Sequence, residues 1–181
     1  MYKRLIIGIT SLVVLSSPFA YADNQSVNIT SSQEDLIKAN CLGVQSTLNR
    51  IHANDALSRV HLGQEYETIS TKLMAPMNSR VALAKLNGVD MARTTVDFNN
   101  KLDEFRSLYQ QYEQTMFSAI QMKCVAQPAN FYAALMQAQT QRASVRASVV
   151  ELGNLVTQYQ QEVATVRTQA LTPEQQVENQ Q

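Results

Sequence analysis

The sequence predicts an all-α protein built as an antiparallel three-helix bundle or coiled coil, with a break near Pro76 and a short connecting helix. Two observations carry this prediction. After residue 22 the chain holds only four glycines and three prolines, so few residues interrupt long helices. Apolar residues recur at alternating steps of three and four, which is typical of helices packed along a narrow seam. No long stretch has the period of two that strands need.

Residues 1–22 have the pattern of a secretory signal peptide. A basic start, Lys3 and Arg4, precedes an apolar run, and "AYA" at 20–22 is a small-x-small cleavage site. The apolar run is about a dozen residues long, which is short of the roughly 20 that a membrane-spanning helix needs. We therefore expect cleavage before Asp23 and export, and the alternative is an uncleaved N-terminal anchor.

The expected mature chain has the size of one domain and little net charge. Cleavage leaves 159 of 181 residues, with 13 basic and 15 acidic side chains, because Lys3 and Arg4 are lost. A chain without a basic excess is not expected to bind nucleic acid or an anionic membrane surface. Residues 23–30 are polar and are expected to form a flexible N-terminal segment.

The first helix is expected over residues 31–75, starting at a capping box formed by Ser31 and Glu34. Pro76 cannot donate to the helical ladder and clashes with the preceding turn, so residues 77–87 form a short helix or a kinked extension. The apolar seam of this helix is Ile37, Cys41, Val44, Leu48, Ile51, Leu62, Tyr66, Ile69 and Leu73. An extra step of four near 58–66 would locally unwind a supercoil.

The second and third helices are expected over 90–124 and 128–168. Gly88 is predicted as a left-handed helix end with Asp90 as the next N-cap, and Pro128 suits the first turn of the last helix. Residues 169–181 are expected to be a polar tail. The second seam is Met91, Thr95, Phe98, Leu102, Phe105, Tyr109, Tyr112, Met116 and Ala119. The third seam is Leu135, Ala138, Arg142, Val145, Val149, Leu152, Val156, Tyr159, Val163 and Val166.

Export would place Cys41 and Cys124 where disulfides persist. If the first helix stops near Pro76, Cys41 lies about 52 Å from its end, and Cys124 lies about 51 Å from the start of the second helix. Because the second helix runs back along the first, the two cysteines are then at the same level. If that helix ran unbroken to Asn87, they would be offset by roughly 18 Å, whereas a disulfide needs Cα atoms within about 7 Å. We therefore predict the disulfide together with the break, and two free buried thiols are the alternative.

A longer pattern surrounds the second cysteine: Cys124-x-x-x-Pro128-x-x-Phe131-Tyr132-x-x-Leu135, with "GQEYETI" and "KLMAPMN" upstream. From Cys41 to Val166 the chain resembles a group of small secreted helical proteins of reduced-genome bacteria that have no assigned activity. The resemblance implies a two-cysteine helical exoprotein and supplies no chemistry.

Two charged residues stand on the seams where apolar side chains are expected. Asp55 lies on the first seam and Arg142 on the third, and alignment at the disulfide places both near Tyr109 and Tyr112. We predict a buried polar layer in which the carboxylate and the guanidinium pair through two hydrogen bonds and a tyrosine hydroxyl donates a third. The alternative is that both charged side chains bend outward into solvent.

Residue patterns that carry chemistry are scarce. His52 and His61 are nine residues apart and so lie on opposite faces of one helix. Pairs with Asp55 and Glu65 supply only two ligands each, too few for a structural zinc site. No nucleophile motif or phosphate loop is present, and a thin bundle offers little concave volume. We therefore predict no catalytic residue, no cofactor and no metal.

These observations favour an exported, non-enzymatic interaction or scaffold protein of the cell envelope or exterior. It would be periplasmic or extracellular, with an unidentified protein partner and no stable membrane insertion after cleavage. The sequence does not predict its oligomeric state. The alternative is a periplasmic chaperone, and a metal-binding protein or enzyme is the third possibility. A chaperone needs exposed apolar patches. The candidates outside the seams are Leu42, Val60, Leu108, Phe117 and Ile120.

The segment "LTPEQQ" at 171–176 resembles the Leu-Thr-x-x-Gln motif of periplasmic envelope-stress chaperones. In physical terms the segment also has the pattern of a helix start, with Thr172 as the cap and Pro173 at the first position. The motif stands once in the chain, and we interpret it as a coincidence.

Overall fold

The computed structural model describes residues 27–171, of which about nine in ten are helical. The helical elements are α1 (Ser31–Thr68), a π-helical turn (Ile69–Met74), α2 (Ala75–Leu83), α3 (Val89–Gln121) and α4 (Pro128–Leu171). Within residues 27–171 there is no strand. The prediction of a helical bundle with a bend and a short connecting helix is confirmed. The helix α3 runs antiparallel to both α1 and α4.

The helix α1 begins one capping residue earlier than predicted. Thr30 has an extended backbone, and its hydroxyl accepts a hydrogen bond from the backbone N–H of Gln33 at 3.3 Å. The side chain of Gln33 accepts one from the backbone N–H of Thr30 at 2.8 Å. This pair completes a capping box. The predicted box of Ser31 and Glu34 is therefore wrong, and Glu34 instead forms an ion pair with Lys38.

The predicted break at Pro76 is a bend that the helix passes through. The backbone N–H of Ala75 donates to the carbonyl of Ser70, five residues back, so the turn before Pro76 is π-helical. One extra residue in the turn rotates the apolar face. Leu73 is consequently 60% exposed, and Met74 is only 1% exposed and buried in its place. The expectation that Leu73 continues the first seam is therefore wrong.

The end of α2 is closed by a lysine, where a glycine was predicted. Lys85 has a φ of 56°, the left-handed conformation. The backbone N–H of Leu86 donates to the carbonyl of Val81, and that of Lys85 to the carbonyl of Ala82. This is the Schellman arrangement, which satisfies carbonyls at a helix end.

Gly88 is required for a different reason. Its φ is −111°, so the predicted left-handed conformation is wrong. A Cβ at this position would lie 2.6 Å from Cγ1 of Val81, so only glycine allows this close approach. The helix α3 begins at Val89, and Asp90 lies in its first turn, paired with Arg93, and does not cap the helix.

The core lies along α3, which packs against the other two long helices. All nine residues of its predicted seam are buried. The 38-residue α1 buries only Cys41, Leu48 and Tyr66. We call the cluster near the α2–α3 connection the hairpin core; it contains Tyr66, Met74, Val81, Met91, Phe98, Leu102, Phe105, Leu152, Tyr159 and Val166. We call the other cluster the disulfide core; it contains Cys41, Leu48, Tyr109, Tyr112, Met116, Cys124, Phe131 and Ala138.

The helix bounds differ modestly from those predicted at the far ends. The helix α3 ends at Gln121, so Cys124 lies in the connection that follows it, and α4 continues to Leu171, past the predicted end at 168. Within residues 27–171, no helix is both long and apolar enough to cross a bilayer.

Candidate functional site

The central feature is a polar layer that joins all three long helices, formed by Asp55 of α1, Arg142 of α4 and Tyr112 of α3. Arg142 donates from Nε to Oδ2 of Asp55 and from Nη2 to Oδ1, both at 2.7 Å. The hydroxyl of Tyr112 donates to Oδ2 at 2.6 Å. The side chains of Asp55 and Arg142 are 17% and 35% exposed, so the pair lies partly within the bundle and does not point outward.

The neighbours of Asp55 favour its charged form. Burial alone would raise the pKa of this carboxyl group. The hydrogen bonds from Arg142 and Tyr112 and the charges of Arg142 and Arg146 outweigh burial, so the pKa lies below its usual value. For Tyr112, burial and the hydrogen bond to Asp55 raise the pKa well above the usual value. The tyrosine is thus a neutral donor and the aspartate a charged acceptor at neutral pH.

Tyr109, the other tyrosine predicted for this layer, is buried beside it and makes no hydrogen bond to Asp55. Its ring meets that of Tyr112 edge to face at 5.9 Å, and the guanidinium of Arg59 lies 5.1 Å from its ring centroid. Its hydroxyl oxygen is buried and has no hydrogen-bond partner in the described part of the chain. Burial and the nearby charge of Glu113 raise its pKa.

A groove of about 390 Å³ opens between α1 and α4 beside the polar layer. The ring of Phe105 and both tyrosines line it from α3, and Leu62 and Val149 line it from α1 and α4. This volume lies within the range typical of small-molecule sites. The expectation that a thin bundle offers little concave volume is therefore wrong. Ser58 also lines the groove, at the point where the first seam has its extra step of four. Its side chain is small and leaves part of the space unfilled.

The disulfide joins the start of α1 to the connection after α3. Cys41 and Cys124 are bonded, with their Cα atoms 5.8 Å apart. Beside them the side chain of Gln45 donates to the carbonyls of Ile120 and Met122 at 3.0 and 2.8 Å. This contact satisfies carbonyls at the end of α3 that have no helical partner.

The disulfide and a bend near Pro76 occur together, as predicted, but the chain stays helical past the bend to Leu83 and does not end at Pro76. The helical path runs from Cys41 to Leu83, about 63 Å if straight, whereas α3 is about 48 Å long. The three residues after α3 are not helical and cover up to roughly 10 Å more, which nearly closes the difference. The helix therefore passes Pro76 without separating the cysteines.

A second polar network, at the bend, was not predicted from the sequence. The hydroxyl of Tyr159 lies 3.1 Å from the carbonyl of Met74 and 2.9 Å from Oδ1 of Asn78. The amide of Asn78 donates to the hydroxyl of Thr95, which donates to the carbonyl of Met91. Tyr159 and Thr95 lie on predicted seams as core residues. Only Asn78, a polar residue next to Met77, could have indicated this network from the sequence. Its hydrogen-bond partners are 17 and 81 residues away, so the sequence does not identify them.

The histidines lie apart. Nε2 of His52 is 4.0 Å from Oε1 of Glu113 and makes no hydrogen bond within residues 27–171, so His52 faces α3 and does not pair with Asp55 as considered from the sequence. His61 is exposed on α1, and its Nδ1 is 3.9 Å from Oε2 of Glu65. Within residues 27–171, no group of three or more histidine, cysteine, aspartate or glutamate side chains is arranged to hold a metal ion.

The five apolar residues considered for a chaperone surface do not behave alike. Leu42, Val60 and Phe117 are exposed, whereas Leu108 and Ile120 are partly buried. Ile120 packs against the disulfide core.

The predicted signal peptide at 1–22, half of the segment 23–30 and nearly all of the segment 171–176 lie outside the described residues. The chain was compared with protein-family models, curated proteins and solved structures, and nothing matches. The resemblance to small secreted two-cysteine helical proteins stays a prediction.

Proposed function

We propose that this chain is an exported, non-enzymatic interaction protein of the cell envelope or exterior, and that it binds a protein partner through the outer face of α1. The disulfide between Cys41 and Cys124 supports an oxidising location. The observation that carries the proposal is how little of α1 the bundle uses, since 38 residues contribute three buried side chains.

The exposed apolar residues of α1 share one face. Leu42 and Val60 are 18 residues apart, which is five helical turns, and Leu57 lies about 60° from them. All three are at least half exposed. The buried residues of α1 lie about 100–120° away from Leu42 around the helix, because Cys41 precedes Leu42 by one residue. A partner can therefore cover this face without disturbing the bundle.

Site-specific photo-crosslinking in the native host tests the proposal. A photoreactive residue at Leu42 or Leu57 should crosslink to one defined protein. The matched control is Val96, which is 57% exposed on α3. The same partner should be absent at Val96, and Leu57→Glu should abolish its capture at Leu42. No adduct at either α1 position, or the same adducts at all three positions, would contradict the proposal.

The second candidate function is a chaperone that binds unfolded clients, favoured by the exposure of Leu42, Val60 and Phe117. Exposed apolar side chains that bind clients should also bind an environment-sensitive dye in the native protein. Suppression of client aggregation that Phe117→Ser weakens would support this function. A native protein with neither dye binding nor suppression would exclude it.

A further inference from the structure

The groove beside the polar layer carries positive charge that the chain does not neutralise. Three arginines and one aspartate line it. Asp55 is engaged by Arg142 through both carboxylate oxygens. Arg59 and Arg146 form no ion pair or hydrogen bond within residues 27–171. The guanidinium of Arg59 lies over the ring of Tyr109 and the charge of Arg146 acts on Asp55, and the hydrogen-bond donors of both arginines can still bind an anion.

The rest of the lining is apolar. Leu62 and the ring of Phe105 belong to or pack against the hairpin core, and α4 contributes aliphatic side chains. The residues of α4 that supply this apolar wall are Val145, Val149 and Val150. The groove offers about 390 Å³, which is near the lower end of the range of small-molecule sites. It accepts a short apolar body but not a folded chain.

A tyrosine hydroxyl without a hydrogen-bond partner in residues 27–171 is buried beneath the groove wall. Tyr109 is 2% exposed and lines the groove, and its hydroxyl has no partner within the described residues. A buried polar group without a partner costs free energy, and most such groups in native structures are satisfied. After burial, Glu113 raises the pKa of Tyr109 more than Asp55 does, and its Oε1 lies 4.0 Å from Nε2 of His52.

We propose that this groove binds a small amphipathic carboxylate: an aliphatic chain lying against Phe105 and the valines of α4, with its anionic head between Arg59 and Arg146. The apolar walls match the chain, and the two unpaired guanidinium groups match the head. This site is distinct from the outer face of α1, so its occupancy does not depend on a protein partner.

Titration calorimetry of the disulfide-intact mature protein with dodecanoate, below its micelle concentration, tests the proposal. We expect saturable binding of one molecule per chain. Arg59→Gln with Arg146→Gln should weaken binding about tenfold, because two partly exposed charge contacts are lost. The matched control, Arg80→Gln with Arg167→Gln, removes the same charge at exposed positions outside the groove and should leave the affinity unchanged.

Two further arms separate this site from non-specific adsorption. Ser58→Leu places an aliphatic side chain into the groove and should abolish binding without loss of helical circular dichroism. Dodecyltrimethylammonium, with the same chain and the opposite charge, should not bind measurably. The proposal is overturned if dodecanoate does not saturate, if the cationic amphiphile binds equally well, or if the groove and control arginine variants behave alike.

Discussion

The two halves of the bundle are held together by different means. The hairpin core is apolar and aromatic, with the ring of Tyr66 packed edge to face against Phe98 and Phe105 at 6.0 and 6.1 Å. The disulfide core is smaller, and there α1 is attached by one covalent bond and by Asp55, which binds Arg142 and Tyr112. Burial is the main contribution that holds α1 beside the hairpin core, whereas beside the disulfide core directional links add to the apolar packing of Leu48.

The difference shows how a helix with a weak apolar face is kept in place. Apolar packing stabilises without defining register closely, whereas a bidentate ion pair and a disulfide each allow one alignment. The N-terminal half of α1 buries only Cys41 and Leu48. Ile37 and Val44 also pack against the disulfide core as partly buried side chains, and the disulfide and the Asp55 pair add directional links to these contacts. The C-terminal half buries Tyr66, with Leu62 packed beside it.

Phe98→Ala should have the largest effect, because it removes a fully buried ring at the centre of the hairpin core. We expect a loss of about 4 kcal/mol in the free energy of unfolding, measured by urea denaturation. Val96→Ala, two residues away on the exposed face of α3, is the control and should change stability by less than about 0.5 kcal/mol. Equal losses for the two variants would contradict the assignment of the core.

Removal of the disulfide by Cys41→Ser and Cys124→Ser should cost about 3 kcal/mol, because the bond closes a loop of 83 residues. The loss should be local. In hydrogen exchange, amides of α1 between residues 35 and 55 should lose protection, while those around Tyr66 and Phe98 keep theirs. Uniform loss of protection along α1 would show that the two halves are not held separately.

Tyr159→Phe should have a smaller effect in the hairpin half. It removes a buried hydroxyl and leaves the carbonyl of Met74 and the amide oxygen of Asn78 without this partner. We expect a loss of about 1 kcal/mol in the free energy of unfolding. Tyr132→Phe, at a tyrosine of α4 that makes no hydrogen bond within residues 27–171, is the matched control and should be near neutral. A neutral Tyr159→Phe would mean that the bend does not need this contact.

Acid should weaken the disulfide half selectively, with a modest effect. The pKa of Asp55 lies below its usual value of 3.8 in the folded protein. Its contribution is therefore present above the unfolded-state pKa and is lost as the pH falls through the lower folded-state pKa. In urea denaturation from pH 6 to pH 2, the free energy of unfolding of Asp55→Asn should fall less steeply with decreasing pH than that of the unchanged protein. An unchanged pH dependence would contradict a stabilising role for the charged form.

The sequence pattern was sufficient for α3 and insufficient for the bend. Each seam residue of α3 is buried because this helix contacts both other helices, so every apolar position on its face is used. At the bend, the π-helical turn buries Met74 where Leu73 was expected to be buried, and both residues are apolar. The sequence cannot distinguish which one faces inward, because that choice depends on where α3 and α4 leave space.

The polar layer and the groove show the same limit at the site. Asp55 and Arg142 were recognisable because charged residues interrupt apolar seams. The groove was not recognisable, because its walls are ordinary seam residues such as Phe105 and Val149, and the space between them depends on how far α1 stands from α4. The left-handed conformation of Lys85 could not be predicted either, because glycine adopts this conformation more readily and Gly88 lies three residues further on.

A double-mutant cycle on Asp55 and Arg142 tests most directly whether directional links hold the disulfide half. Asp55→Ala and Arg142→Ala should each cost about 2 kcal/mol, less than for a fully buried pair because Arg142 is partly exposed. The double variant should lose clearly less than the sum of the two, with a coupling free energy above about 1 kcal/mol in urea denaturation. Additive losses, with coupling below about 0.3 kcal/mol, would show that the two residues do not act together and would contradict the account.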